Sequence, residues 1–297
     1  MPAGCSSSTP TPKEPCTDHR VISIGVGLAL VAAVFHGAWN ALTKVSGNPL
    51  RTLQRANAVA AIVATPLVGV AWLVAGRPMF SPAALGLCVG SSALELMYMW
   101  TLSRAYQLGD LSAVYPIARG TAPVLAVAVG LIVLDEHLAS LQLFGVALLL
   151  VGIITVARPR SAGKATLLAL ATGVLIASYS SVDRVGVRLV APWLFGWLML
   201  VLVATGLWGW GLFAKWGETE GLPWRRAGVV GLLQWGGYFL VLIALSIAPL
   251  AVVAPVRESA VVAVALWGVF KLRERDGATL KVVGAALTFA GIVLLAI

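Results

Sequence analysis

The sequence carries very little charge. Only 11% of its 297 residues are charged, whereas 59% are hydrophobic. Soluble domains contain about 25% charged and about 45–50% apolar residues, so this composition excludes a water-soluble globule. The abundance of apolar residues also excludes a disordered chain. Because a membrane-spanning helix needs roughly 20 apolar residues, we predict an all-helical membrane protein that crosses the bilayer many times.

Residues that carry chemistry are also scarce. The three cysteines, Cys5, Cys16 and Cys88, have neither the spacing of a metal site nor that of a disulfide framework. The motifs HExxH and GxSxG and glycine-rich phosphate loops are absent. We therefore predict no catalytic residues, no metal site, no cofactor and no enzymatic activity. The net charge of +9 is typical of positive-inside bias and anionic lipid headgroups, so nucleic acid is not an expected partner.

Ten apolar segments are candidate membrane spans. They cover residues 21–42, 56–76, 82–103, 111–134, 138–157, 165–182, 191–214, 227–247, 248–270 and 277–297. The boundary at Ala248-Pro249 is the least defined, because two segments adjoin there. Gly86 and Gly90 form a GxxxG pair, which is typical of close helix packing. Residues 1–20 are rich in Ser, Thr and Pro and are predicted to be a flexible tail.

An internal repeat divides the chain. AYQLGDLSAVYP (105–116) aligns with ALSIAPLAVVAP (244–255), 139 residues later. At an offset of 138 or 139, the aligned pairs are Asn40 and Tyr179, Lys44 and Asp183, Glu95 and Gln234, Arg119 and Arg257, Glu136 and Glu274, Gly145 and Gly284, and Gly152 and Gly291. Apolar composition alone does not align Arg, Glu and paired Gly in this way. Glu136 and Glu274 lie near helix ends and are predicted to act in loops or caps.

The repeat predicts two domains of five helices each, residues 21–157 and 165–297. Five is an odd number, so the second half enters the membrane from the opposite side. The predicted fold is therefore ten transmembrane helices arranged as two inverted five-helix repeats. Many secondary transporters have this architecture and hold their substrate near the bilayer midplane, between the repeats.

Several stretches resemble one transporter family. They are HGAWNALTK (36–44), AYQLGDLSAVYPIARGTAPVL (105–125), LDEHL (134–138), SYSSVDRVGVR (178–188) and APVRESAVVAVALWGVFKLRER (254–275). Through them the chain resembles the EamA-type branch of the drug/metabolite transporter superfamily. The resemblance implies a ten-helix bundle that carries small metabolites, often outward and often with proton exchange. It also implies cytoplasmic termini, whereas the distribution of Lys and Arg among the loops places the termini outside.

Four ionisable residues lie within the predicted spans: Glu95, Arg119, Arg257 and Glu258. A charge at the bilayer centre costs at least about 2.5–3.5 kcal/mol, so such residues are candidates for function. Their charges cancel, two against two. Arg119 and Arg257 can offer a planar fork to a carboxylate or phosphate, or they can form structural ion pairs. Glu95 is a proton-coupling candidate or the fixed partner of Arg119. Glu258 projects roughly 100° away from Arg257 around the helix and is expected to serve a neighbouring helix.

Polar and aromatic residues share helix faces with these charges. His36, Asn40 and Lys44 follow at intervals of four, and Tyr179 and Asp183 form the matching pair in the second half. The predicted substrate-binding residues are Arg119, Tyr115, Arg257, Asn40, Tyr179, Tyr98, Tyr238 and Trp235. The proton-coupling candidates are Glu95, Glu258 and His36. The alternatives are a hydrogen-bonded core role for His36 and simple packing for the aromatic residues.

We therefore predict a secondary transporter that moves a small polar or amphipathic metabolite outward across the plasma (inner) membrane, with proton exchange as a coupling option. The expected partners are a small-molecule substrate and the lipid bilayer, and a homodimer is one option for assembly. The alternative functions are a lipid-linked-sugar flippase and a membrane-embedded enzyme.

Overall fold

A computed structural model describes residues 19–44, 46–108, 111–157, 163–213, 220–260, 262 and 278–296. These residues form ten helices: α1 (His19–Lys44), α2 (Pro49–Val74), α3 (Pro82–Leu108), α4 (Leu111–Ile132), α5 (Ser140–Ala157), α6 (Lys164–Leu189), α7 (Pro192–Phe213), α8 (Trp224–Ile247), α9 (Leu250–Glu258) and α10 (Ala278–Ala296). Within these ranges there is no strand, so the all-helical class is confirmed.

Seven of these helices are long and apolar enough to cross a membrane: α1, α2, α3, α6, α7, α8 and α10. Helices α4 and α5 contain shorter apolar stretches, Ile117–Ile132 and Ser140–Val156. Of the predicted ninth segment, 248–270, the structure describes residues 248–260 and 262, and Leu250–Glu258 form α9. Large apolar side chains such as Val74 and Phe213 are exposed, as expected where a bilayer covers the protein. The chain is a multi-pass membrane protein.

Helices α8 and α9 are separated at Ala248-Pro249, where the sequence predicts a boundary between two segments. Pro249 has no backbone N–H and precedes the first residue of α9. The Glu136 carboxylate accepts hydrogen bonds from the backbone N–H groups of Leu250 (2.7 Å) and Ala251 (3.0 Å). It also accepts one from Arg184 Nε at 3.0 Å. The predicted cap role of Glu136 is thus confirmed, and it fixes where α9 begins. Glu274 lies outside the described residues.

Helices α5 and α10, which are equivalent in the repeat, pack backbone to backbone. A Cβ atom on Gly152 would lie 2.6 Å from the carbonyl oxygen of Gly284. At the other end of the contact, a Cβ atom on Gly291 would lie 2.6 Å from the carbonyl oxygen of Gly145. The early glycine of each helix therefore faces the late glycine of the other. The two equivalent helices are antiparallel, and only glycine allows so close an approach.

Two further pairs of equivalent helices also run antiparallel. Between α2 and α7, Gln54 Nε2 donates to the Leu207 carbonyl (3.4 Å) and Trp197 Nε1 donates to Thr65 Oγ1 (3.1 Å). Between α4 and α9, Arg119 contacts Glu258 near the end of α9, whereas a Cβ on Gly130 would lie 3.1 Å from Ala251 near its start. The remaining helices also pack across the halves. Helix α3 packs on α6, and their equivalents in the repeat, α8 and α1, pack on each other. The two repeats are therefore interleaved.

The GxxxG pair of α3 has no such role. A Cβ atom added at Gly86 or Gly90 would meet nothing within 4 Å. The prediction of close helix packing at this pair is wrong, because this face of α3 points away from the neighbouring helices.

We expect Gly152→Ala to lower the stability of the folded protein. The added methyl group collides with backbone and with Thr288 on α10, and overpacking of this kind costs about 1–3 kcal/mol. Thermal unfolding of the purified protein in detergent measures the change. The matched control is Gly86→Ala, which adds the same atom in open space. Equal melting temperatures for the two variants would contradict the assigned interface.

Candidate functional site

Two arginines share one carboxylate at the centre of the bundle. Arg119 Nη1 lies 3.1 and 3.2 Å from the two carboxylate oxygens of Glu258. Arg257 Nε donates to Glu258 Oε1 at 3.1 Å, and Arg257 Nη2 lies 3.0 Å from the same oxygen in the ion pair. All three side chains are at most 3% exposed. Glu258 thus serves the neighbouring helix α4, as predicted, and it binds its neighbour Arg257 as well.

Two hydroxyl groups and one aromatic ring also contact the two guanidinium groups. Arg119 Nη2 donates to the Tyr98 hydroxyl at 3.4 Å. Arg257 Nη1 donates to Ser180 Oγ at 3.4 Å, and the Arg257 guanidinium carbon lies 6.0 Å from the centre of the Tyr179 ring. The cluster therefore joins α3 and α4 of the first repeat to α6 and α9 of the second.

Four aromatic side chains form a continuous row beside the arginines. The ring centres of Tyr98 and Tyr179 are 5.8 Å apart, those of Tyr179 and Tyr238 are 6.2 Å apart, and those of Tyr238 and Trp235 are 5.6 Å apart. Trp235 Nε1 donates to Asn57 Oδ1 at 2.7 Å. The row crosses α3, α6 and α8. The side chain of Tyr115, another predicted binding residue, lies outside the described part of the chain.

Asp183 belongs to the site, although sequence reasoning left it out of the candidate list. It is fully buried and accepts hydrogen bonds from Ser91 Oγ (2.5 Å) and from the Tyr238 hydroxyl. Asp183 lies four residues after Tyr179 and therefore on the same helix face, and this spacing could have identified it as a site residue. With Asp183 included, the described cluster holds two guanidinium groups and three carboxyl groups, one carboxyl more than the sequence prediction included.

The described residues include several buried polar atoms without a hydrogen-bond partner, among them His36 Nε2, Glu95 Oε2 and Gln234 Oε1. They come from α1, α3 and α8. Glu95 makes no ion pair among the described residues, so it is not the fixed partner of Arg119. Asn40 Nδ2 donates to the carbonyl of His36 at 2.9 Å, within its own helix. Buried polar atoms are nearly always satisfied, so unsatisfied ones indicate a place for water or a ligand.

An apolar cavity of about 470 Å³ lies beside the aromatic row, between α2, α7 and α8. Trp235 lines it and also contacts Tyr238, so the cavity adjoins the aromatic row at Trp235. Leu67 and Leu232 at its edge are exposed. The cavity therefore opens on the apolar outer surface of the protein.

The family model of the EamA-like transporter family matches the chain twice, over residues 23–158 and 163–297. The chain belongs to this family. The two matches correspond to the two halves that the repeat defines, and membership makes the chain a membrane transporter by class.

A solved structure shows the same fold at low sequence identity. It is titled "Crystal structure of protein" and is 16% identical, with a TM-score of 0.70 over 92% of this chain and 95% of that chain. No curated protein shows a significant match to the sequence.

We expect Glu258→Gln to destabilise the protein severely. The change removes the charge that Arg119 and Arg257 share among the described residues, and breaking a buried pair costs about 3–5 kcal/mol. Yield and melting temperature in detergent measure the loss. The matched control is Glu220→Gln, because Glu220 also contacts two arginines, Arg51 and Arg55, but is 68% exposed. The control should change stability by no more than about 1 kcal/mol. A Glu258→Gln protein as stable as this control would contradict the shared-carboxylate arrangement.

Proposed function

We propose that the protein is a secondary transporter that moves a small polar or amphipathic metabolite outward by alternating access. The observation that carries the proposal is the position of the Arg119–Glu258–Arg257 cluster, which is buried where the two repeats meet. Inverted-repeat transporters bind substrate at this place. Intramembrane charges are costly, and they normally mark a substrate or ion pathway.

The antiparallel packing of equivalent helices supports ten crossings arranged as two inverted repeats. Helices α2, α4 and α5 each run opposite to their equivalents α7, α9 and α10. Strict alternation of direction along a ten-helix chain produces this pattern, since equivalent helices are then five crossings apart. In such a topology both termini lie on one side, and the plasma membrane is the proposed location.

We propose that the substrate competes for the arginines. Glu258 links Arg119 of the first repeat to Arg257 of the second, so displacing Glu258 from one guanidinium loosens the contact between the repeats. A substrate carboxylate or phosphate can take its place, because it accepts the same paired hydrogen bonds. The freed Glu258 carboxylate then favours binding of a proton, which couples export to proton exchange. Glu95 and His36, whose buried atoms lack partners, are further proton-coupling candidates.

The neighbouring surfaces favour a substrate with an apolar part. Tyr98, Tyr179, Tyr238 and Trp235 form an aromatic wall next to the arginines, and the apolar cavity begins behind Trp235. Small-molecule sites typically combine apolar walls with a few fixed polar groups. We propose that Asn40 on α1 makes a further polar contact with the substrate.

Transport by the purified protein in liposomes tests the function. We expect at least one metabolite of a mixed panel to cross faster than in empty liposomes, and its rate to change when a proton gradient is imposed. Equal rates for every metabolite together with movement of lipid headgroups would contradict the transporter and favour a flippase.

We expect Arg257→Ala to abolish transport while the protein still folds. Arg257→Lys should rescue it poorly, because an ammonium group lacks the paired donors of a guanidinium. Binding is measured by thermal stability, since ligand at a hundredfold excess over its dissociation constant stabilises a protein by roughly 2.7 kcal/mol. The wild type should show this gain and the folded variants should not. Arg119→Ala should behave as Arg257→Ala does.

Full transport by a folded Arg257→Ala protein would contradict the assignment of this residue to the substrate. Loss of folded protein, unchanged by substrate, would show that the arginines are structural locks instead.

A further inference from the structure

We propose that the apolar cavity between α2, α7 and α8 binds one acyl chain of a bilayer phospholipid. The chain enters from the side, between α2 and α8, and ends against Trp235. We call this space the α2 wedge. Its lining residues lie within Ala60–Ala71 of α2, Trp193–Leu200 of α7 and Leu232–Leu242 of α8. Binding of a lipid chain here does not depend on what the protein transports.

The second half of α2 is not packed into the bundle. In the first half α2 lies close to α8, where a Cβ atom on Gly231 would collide with the backbone of Ala56. The last buried residue of α2 is Ala60, and no residue from 61 to 74 is buried. Pro66 lies within this stretch, and a proline inside a helix bends it because one backbone hydrogen bond is lost. The α2 wedge occupies the space that this loss of packing leaves.

The α2 wedge is open toward the bilayer and closed toward the interior of the protein. At its edges, Leu67 of α2 is 67% exposed and Leu232 of α8 is 53% exposed. Its floor is buried and includes Leu200 of α7 and Trp235 and Leu242 of α8. The exposed edges belong to the apolar outer surface of a multi-pass membrane protein. The α2 wedge is therefore continuous with the surface that lipid covers.

The chemistry of the lining favours hydrocarbon over water. Every described residue that lines the α2 wedge is apolar. Two of its indole N–H groups already have partners, because Trp197 Nε1 donates to Thr65 Oγ1 (3.1 Å) and Trp235 Nε1 donates to Asn57 Oδ1 (2.7 Å). A buried water needs roughly two to four polar partners, so water is not stabilised here. A lipid headgroup lacks partners for the same reason.

The volume suits a run of methylene groups. The cavity measures about 470 Å³, whereas an apolar cavity of roughly 150 Å³ is already large enough to bind benzene. If it were empty, the lining atoms would lose their dispersion contacts on one side. The bilayer presents flexible alkyl chains at the open side, so one of them fills the space.

The depth of the α2 wedge also indicates a chain and not a headgroup. Trp235 lies eleven residues after Trp224, the first of the 24 residues of α8. This distance is roughly 16 Å along the helix, so Trp235 lies near the middle of a span. Headgroups lie about 15 Å from the midplane of the bilayer. The part of a lipid that reaches Trp235 is therefore hydrocarbon.

The α2 wedge meets the aromatic row at Trp235, whose ring centre is 5.6 Å from that of Tyr238. Under the proposed function, a substrate whose apolar end reaches behind Trp235 must displace the lipid chain. The lipid chain and such a substrate therefore compete for this space.

Fluorescence quenching by lipids with brominated acyl chains tests the site. The purified full chain is placed in liposomes of phosphatidylcholine, either plain or with bromine in the middle of its acyl chains. The signal of Trp235 is the difference between the wild type and Trp235→Phe. Bromine quenches a tryptophan only at short range, so we expect the brominated lipid to remove most of this signal.

The matched control is Trp39, whose signal is the difference between the wild type and Trp39→Phe. Trp39 is 5% exposed, against 7% for Trp235, but it does not line the α2 wedge. We expect the brominated lipid to leave most of the Trp39 signal. Equal quenching of the two tryptophans, or none of Trp235, would overturn the proposal.

Variants that fill the α2 wedge locate the chain without a substitution at Trp235. Ala64→Phe adds a ring from the wall of α2 and should weaken the quenching of total tryptophan fluorescence. Val63→Phe is the second variant, because Val63 also lines the space but is 44% exposed and needs no room in the packed core. The matched control is Val70→Phe, on the same helix, 63% exposed and outside the lining.

The control should be quenched as the wild type is. Quenching of Ala64→Phe and Val63→Phe as strong as that of Val70→Phe would overturn the site. Absence of Trp235 quenching together with a dimer in the same liposomes would also overturn it, and would assign the α2 wedge to a second copy of the chain.

Discussion

The arrangement of the interior depends on one carboxylate that compensates two arginines. A lone guanidinium inside a bilayer is costly, and Glu258 lies within hydrogen-bond distance of both Arg119 and Arg257. Because Arg119 belongs to α4 and Glu258 to α9, this compensation also fastens the two repeats to each other. The position of Glu258 depends in turn on Glu136, because the Glu136 carboxylate caps the first residues of α9 and sets where that helix starts. The position of the charged cluster thus follows from a chain of buried polar contacts.

The repeats meet in two chemically different ways. Helices α5 and α10 approach backbone to backbone at Gly152 and Gly284, where close packing leaves no room for a side chain. Helices α4 and α9 meet through ions that can exchange partners. A glycine interface is rigid, whereas an ion pair can be broken by a competing anion or by a proton. A bundle with both kinds of contact can keep its halves together while it rearranges around the charged centre, as the proposed alternating access would require.

The arginines and the aromatic row offer two kinds of surface to the substrate of the proposed transporter. The guanidinium groups of Arg119 and Arg257 can bind an anionic group, provided that Glu258 gives way. The four aromatic rings and the apolar cavity behind Trp235 can pack against an apolar part of the same molecule.

Much of the fold was determined by sequence alone, because apolar runs of sufficient length must be membrane helices and because the repeat aligns Arg119 with Arg257 and Gly152 with Gly291. Membership of the site was only partly predictable. Helical spacing places Tyr179 and Asp183 on one face of α6, but the rotation of α6 against α3 and α8 is set by packing. Only the tertiary structure therefore shows that Asp183 meets Ser91 and Tyr238. It also shows that Arg119 pairs with Glu258, 139 residues away, and that Glu95 makes no ion pair within the part of the chain that the structure describes. Sequence periodicity shows which residues share a face of one helix. The partner of a buried charge usually lies on another helix, so it depends on which side chains the packing of the helices brings within hydrogen-bond distance.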